Sequence, residues 1–233
     1  MKEPKGSFVV YIAKGGKQVM KIGVIAGTPV DTRMGGDFVR KNGHFAIERA
    51  SSKSAEEQLV MQNLHATELT EQVLSLCKEM IGEGADGIMI YCNSMTAAID
   101  VEYVRNGIEN YKLVTPFDIY RENAKKYKST AIIAANGQSL AAIEKIIIEE
   151  NEKNIPYGAS LMPLVVEIEK KTNPHEIVKK LKLDSMIDSF KALGADALIL
   201  GCTHFPYVLD SLKKITDIPL IEPSYEMLNK LQM

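Results

Sequence analysis

The sequence predicts an α/β protein built from two pseudo-symmetric, doubly wound parallel-sheet domains with a cleft between them. Two observations carry this expectation. Short apolar runs rich in β-formers alternate with longer segments of helical period, the pattern of parallel strands joined by crossover helices. The chain also repeats itself. Gly84-Ala85-Asp86-Gly87-Ile88-Met89-Ile90-Tyr91-Cys92-Asn93-Ser94 aligns with Gly194-Ala195-Asp196-Ala197-Leu198-Ile199-Leu200-Gly201-Cys202-Thr203-His204 at a constant offset of 110 residues.

Taken in chain order, residues 1–20 read as an added hairpin, FVVYIA and KQVM joined at Gly15-Gly16. The expected strands are KIGVIA (21–26), FAIERA (45–50), DGIMIYC (86–92), KLVTP (112–116), STAIIAA (129–135), ALILGC (197–202) and IPLIE (218–222). Between residues 54 and 83, apolar residues at Leu59, Leu64, Leu69, Val73, Leu76 and Met80 have the spacing of one or two amphipathic helices. Further helices are expected over 119–127, 140–150, 174–193 and 206–215. The expected division is a first domain over 21–108 plus 207–233 and a second over 109–206.

Composition narrows the function classes. With 233 residues, 45% hydrophobic and 25% charged, and a net charge of −2, the chain reads as an ordinary globular protein able to bury a sizeable core. It has no dominant basic block, so nucleic acid is not an expected partner. Its longest early apolar run, Phe8 to Ala13, is too short for a membrane span. Three cysteines do not suggest a disulfide framework, and a reducing, cytoplasmic setting is expected.

Each copy of the repeat runs from a helix end through a Gly-Ala-Asp turn and a buried strand to a cysteine. Small polar residues and a new helix are then expected, and Pro206 suits the first turn of the second such helix. Ligands of open parallel sheets bind beyond the carboxyl ends of the strands. Cys92 and Cys202 therefore belong at the mouths of their own halves, where they can converge on one cleft. Cys77, inside the helical segment TEQVLSLCKEM, is expected to be a packed structural thiol.

A single strand-end cysteine is usually just a buried small hydrophobe. Matching positions in a repeat, each followed by hydrogen-bonding side chains, weaken that reading. A metal site of Cys92, Cys202 and His204 lacks a CxxC pair and a fourth ligand. A cysteine phosphatase would need arginine six residues on, where Ala98 and Val208 stand, and a thioredoxin-like role would need CxxC. Acid/base chemistry fits better. A thiol just before a helix feels the helix N-terminal field, which favours the thiolate. The N–H groups there, with Asn93, Ser94, Thr96 and Thr203, can hold a small carboxylate, and His204 can exchange a proton with the second thiol. Two opposed acid/base groups around one carbon suit racemisation or epimerisation.

At these residues the chain resembles the cofactor-independent aspartate/glutamate racemase family. The family's Cys-Asn-Thr-Ala-Thr/Ser motif stands here as Cys92-Asn93-Ser94-Met95-Thr96, and its Gly-Cys-Thr-His-Tyr-Pro motif as Gly201-Cys202-Thr203-His204-Phe205-Pro206. The likeness runs from about residue 21 to the C-terminus. It implies a two-domain fold with the site between the domains, and no cofactor or metal. Cys92 and Cys202 would be the catalytic acid/base pair, assisted by His204. Asn93, Ser94 and Thr203 would bind the α-carboxylate and amino group of a small amino acid, aspartate or glutamate. Related isomerases that act on hydantoins or maleate also use two cysteines, and a non-catalytic amino-acid-binding protein is a further alternative. A homodimer is the common assembly for such folds.

The first turn departs from the family. Glutamate racemases carry Asp-Ser-Gly there, whereas this chain reads Ala26-Gly27-Thr28-Pro29-Val30-Asp31-Thr32. Asp31 stands as either a displaced replacement for that carboxylate or a helix cap. Thr28 and Thr32 are expected ligand contacts. Arg33, Arg40, Arg49 and Lys53 are candidates to hold an acidic substrate side chain, with Arg49 the one retained as a binding residue.

Overall fold

The computed structural model describes residues 19–233, so all but the last two residues of the expected N-terminal hairpin lie outside the described residues. Two four-stranded, all-parallel sheets form the frame. The first contains β1 (Lys21–Ala26), β2 (Phe45–Ala50), β3 (Gly87–Ile90) and β4 (Lys112–Val114) in the order β2-β1-β3-β4. The second contains β5 (Ser129–Ala134), β6 (Ile155–Ser160), β7 (Ala197–Gly201) and β8 (Leu220–Ile221) in the order β6-β5-β7-β8. The strand order of one half is thus the strand order of the other.

The helices are α1 (Pro29–Lys41), α2 (Ala55–Leu64), α3 (Ala66–Gly82), α4 (Asn93–Ala98), α5 (Val101–Gly107), α6 (Pro116–Ala124), α7 (Gly137–Glu150), α8 (Met162–Glu169), α9 (Pro174–Lys180), α10 (Leu183–Ala192), α11 (Leu209–Leu212) and α12 (Ser224–Gln232). A 3₁₀ turn, Phe205–Val208, precedes α11.

The Gly-Ala-Asp repeat does the same structural work twice. Gly84 and Gly194 adopt φ of 90° and 93°, a left-handed conformation that costs other residues dearly. Around them the Ala85 and Ala195 N–H groups reach back to Met80 and Phe190 carbonyls, the Schellman closure of α3 and α10. The aspartate then clamps the neighbouring central strand. Asp86 accepts from the Lys21 N–H at 2.7 Å, and Asp196 from Lys128 and Ser129 at 2.9 and 3.1 Å. Each Gly-Ala-Asp turn therefore fixes the register between a half's two central strands, and through it the height of the following cysteine.

The core follows the sheets. Ile22, Val24 and Ile25 of β1 and Ile88, Met89 and Ile90 of β3 are fully buried against Val73, Cys77 and Met80 of α3. Cys77 is the structural thiol the sequence suggests: it is fully buried, and burial pushes it up to about 12.

Sheet membership differs from the expected division at 108 and 207. Lys112–Val114 pairs with β3 and stays with the first half, whereas Leu220–Ile221 pairs with β7 and stays with the second. Of the C-terminal tail, α12 crosses back, packing Met227, Leu228 and Leu231 into the first core. The expected helix over 174–193 is two helices, broken where Lys182 takes φ of 54°. The one expected over 206–215 is the 3₁₀ turn followed by the single turn of α11.

Candidate active site

The carboxyl ends of β1, β3, β5 and β7 converge on a cavity of about 110 Å³ whose walls include both Cys92 and Cys202. The two thiols arrive there for the reason the repeat suggested. Each sits just past the third strand of its half, at residues only 4% and 8% exposed. They are near enough that charge on Cys92 would disfavour charge on Cys202.

The surroundings of the two thiols differ. Cys92 is the N-cap of α4, and the N–H groups of Met95 and Gly27 point at its sulfur. Gln58 Nε2 and Ser94 Oγ each lie 3.5 Å from Sγ. Even so, burial pushes the thiol up to about 11, with the nearby Asp31 carboxylate adding to the rise. No α-helix starts behind Cys202. A turn and the 3₁₀ segment follow it, so its main support is the backbone N–H of His204 and the imidazole Nδ1, 3.6 Å from Sγ. Burial drives this thiol higher still. The expected lowering of both thiols by a helix field is therefore not what the structure shows. Desolvation outweighs a six-residue helix at Cys92, and no helix is present at Cys202.

Each thiol has a carboxylate behind it. Asp31 is the third residue of α1 and closes a capping box with Thr28, whose N–H and Oγ both lie 2.6 Å from Oδ1. Asp31 is thus a helix cap, and it also lines the cavity. A second Thr-Pro-x-Asp box opens α6, but there Asp118 is held by Arg105 at 2.6 and 2.7 Å. Asp31 has no such cation. Burial raises it above the usual carboxylate range, opposed by the Thr28 hydrogen bonds and by the charge that His204 can carry. On the other side, His204 Nε2 lies 3.3 Å from Glu169 Oε1 at the end of α8, not aligned for a hydrogen bond.

The remaining polar residues sort by position. Asn93 lines the cavity, and its Oδ1 accepts from the buried Tyr120 hydroxyl at 2.9 Å, which leaves Nδ2 buried without a partner. Thr203 and Ser94 also line it. From the second half come Asn136 and Ser139, at the start of α7, and Ser139 Oγ is likewise buried and unpaired. Thr96 and Thr32 do not reach the cavity. Each spends its hydroxyl on the carbonyl four residues earlier, Cys92 and Thr28, at 2.6 Å. Arg49 is drawn away by Glu79, at 2.9 Å, and Glu83. Arg40 pairs with Asp37 and Glu48, and Arg33 lines a separate outer cavity. Lys53 is not among the lining residues.

Sequence reasoning missed Gln58, Gln62, Ser139 and Glu169. Gln58 and Gln62 are four apart in α2, so a helical wheel places them on one face. Gln58 also fills the space left by the absent side chain of Gly27, where a Cβ would fall 2.0 Å from its Nε2. Among the described residues no helix is long and apolar enough to cross a membrane, and no group of three or more His, Cys, Asp or Glu side chains is placed to hold a metal ion.

Two parallel sheets of matching strand order, with paired thiols at their facing ends, define a pseudo-symmetric two-domain α/β protein with one shared site. No family model matches the chain. A glutamate racemase of Koribacter versatilis is 27% identical over 167 residues, covering 67% of this chain and 55% of the relative. One from Campylobacter concisus is 30% identical over 145 residues, 59% and 53% of the two chains. The match thus spans little more than half the length of these curated relatives. Among solved structures, the glutamate racemase of Francisella tularensis in complex with D-glutamate superposes with a TM-score of 0.66 at 19% identity, covering 91% of this chain and 80% of that one. The aspartate racemase of Picrophilus torridus gives 0.63 at 16% identity, covering 91% and 92%. The chain is thus similar in sequence to glutamate racemases and shares its fold with glutamate and aspartate racemases.

Proposed function

We propose that this chain is a cofactor-independent amino-acid racemase that moves the α-proton between Cys92 and Cys202. Its substrate is a small amino acid with a short polar side chain, and the relatives make glutamate and aspartate the first to test. The observation that carries this reading is the placement of two thiols, from matched strand ends of the two halves, on the walls of one small cavity.

The chemistry balances within the site. A thiolate on one wall takes the α-hydrogen as a proton and leaves the electron pair on Cα. The thiol on the other wall gives its proton to the opposite face of that carbon and becomes the thiolate. Because burial holds both thiols protonated, one must ionise as the substrate binds. The substrate's ammonium group is the cation that would favour this. Asp31 beside Cys92 and Glu169 beside His204 are the groups placed to take up and return that proton. The unpaired Asn93 Nδ2 and Ser139 Oγ, with the N–H groups at the start of α4, suit the α-carboxylate, whose charge grows as the carbanion forms.

The test is α-hydrogen exchange in deuterated water, with separate enantiomers of glutamate and aspartate. Deuterium uptake with inversion is expected, lost in Cys92→Ala and in Cys202→Ala while the fold is retained. Binding without exchange would overturn the racemase reading in favour of an amino-acid-binding protein. A single-cysteine variant that racemises at full rate would overturn the two-thiol mechanism.

A further inference from the structure

Among the described residues, the cavity wall contains no lysine and no arginine. Its carboxyl groups are Asp31 and Glu169, and its one imidazole is His204, already placed between Cys202 and Glu169. A zwitterionic amino acid brings no net charge into such a site. An acidic one brings a second carboxylate that meets no lysine or arginine, in a space that already holds the buried Asp31.

The inner face of α2 forms a neutral polar wall of the cavity apart from the groups assigned to the α-carboxylate. Gln58 and Gln62 both aim Nε2 at Ser94 Oγ, at 3.2 and 3.1 Å, and Gln62 is only 4% exposed. Among the described residues, neither Oε1 accepts a hydrogen bond. The pair therefore presents neutral donors together with unused acceptors. A carboxylate can answer only the donors, whereas a carboxamide, with one acceptor and an NH₂ group, can answer both.

We propose that Gln58 and Gln62 form the substrate side-chain subsite, and that it selects an uncharged carboxamide side chain over the corresponding carboxylate. This rests on the racemase reading for the site's chemistry, but the selection can be read from binding alone. Gln62 is the specificity residue to vary, because Gln58 also touches the Cys92 sulfur.

Calorimetric affinities for glutamine, asparagine, glutamate and aspartate are measured beside α-deuterium exchange for the same four. The wild-type protein is expected to bind and exchange at least one amide tenfold or more in preference to its acid. Gln62→Lys is expected to reverse that order by supplying the missing cation. The near-isosteric Gln62→Glu keeps the shape and is expected to widen the preference further. Amide-selective binding without exchange would overturn the racemase reading and leave the subsite standing. Exchange that favours the acid and is unmoved by Gln62→Lys and Gln62→Glu would overturn the subsite and leave the racemase. Binding of none of the four overturns the subsite assignment.

Discussion

Replacing Asp31 by asparagine is expected to make Cys92 more acidic and the protein less active at the same time. Asparagine preserves the acceptor that the Thr28 N–H and hydroxyl use, so the start of α1 is retained. What disappears is a buried negative charge beside Cys92. The thiol stands at about 11 against an ordinary value of 9.0, chiefly through burial and next through Asp31. Removing the second cause should bring the midpoint down by about one pH unit, or tenfold more thiolate at any pH well below it. A less basic thiolate is a weaker nucleophile, with a Brønsted slope of about 0.4–0.5, so the tenfold gain shrinks to a net rise of about three- to fourfold in alkylation rate. Iodoacetamide labelling between pH 6 and 9.5 in a Cys202→Ala background reads this directly. Cys77, fully buried and pushed up to about 12, stays silent. Access to the cavity is common to both proteins and cancels in the ratio. If Asp31 relays the proton, turnover in the Asp31→Asn single variant should fall by about tenfold or more although its thiolate is easier to form. Labelling that is unchanged or slower in a folded Asp31→Asn protein would refute the electrostatic argument, and faster turnover would refute the relay.

Two further substitutions test the frame and the binding wall. Gly194→Ala meets no neighbouring atom within 4 Å, so its cost is the left-handed backbone alone, about 1–2 kcal/mol, seen as a fall of a few degrees in Tm by calorimetry. Gly84→Ala should cost a similar amount, and a neutral result at both would remove the conformational reason given for the repeat. Tyr120→Phe leaves Asn93 Oδ1 without its 2.9 Å donor and frees the amide to rotate, so kcat/KM in the exchange assay should drop about tenfold, whereas an unchanged value would show that Asn93 does not hold the substrate.

Much of this architecture was legible because the repeat couples composition to geometry. A left-handed glycine, an aspartate clamp and an apolar strand leave a recognisable trace, and the cysteine position follows from them. What escaped notice did so for local reasons. In α1, Gly35 and Gly36 look like loop residues, yet each allows close packing: a Cβ at Gly35 would fall 2.8 Å from Tyr91 and Val24, and one at Gly36 would fall 1.9 Å from the Glu48 carboxylate. The strand IPYGAS carries Pro156 and Gly158, which read as breakers. It is tolerated because β6 lies at the edge of its sheet. Arg49 was a reasonable cation for an acidic ligand, but nothing in the sequence shows that Glu79 and Glu83, some thirty residues on, would claim it. Gln58 and Gln62 belong to no motif. Only the packing of α2 over the first turn turns them inward.

The pseudo-symmetry of the fold does not extend to the thiols, and this constrains how the two directions of the proposed racemisation can differ. Cys92 has helix N–H groups and amide donors near its sulfur, whereas Cys202 has an imidazole backed by a carboxylate and no α-helix behind it. Cys92, the less elevated of the two, is the easier thiolate to form in the protein alone. Yet enantiomers have equal free energy, so kcat/KM must be the same in both directions whatever the site looks like. The asymmetry can therefore show itself only as a matched pair of changes, with a larger kcat and a larger KM for one enantiomer. In that mechanism the enantiomer whose α-hydrogen faces Cys92 would meet the more easily formed base, and the one facing Cys202 would rely on His204 and Glu169 to remove a proton first. Under the proposed two-thiol mechanism, Asp31 and Glu169 would serve opposite directions of one reaction. A substitution at either is then expected to lower both kcat/KM values together and to shift the two kcat values apart, which steady-state kinetics on the separate enantiomers checks.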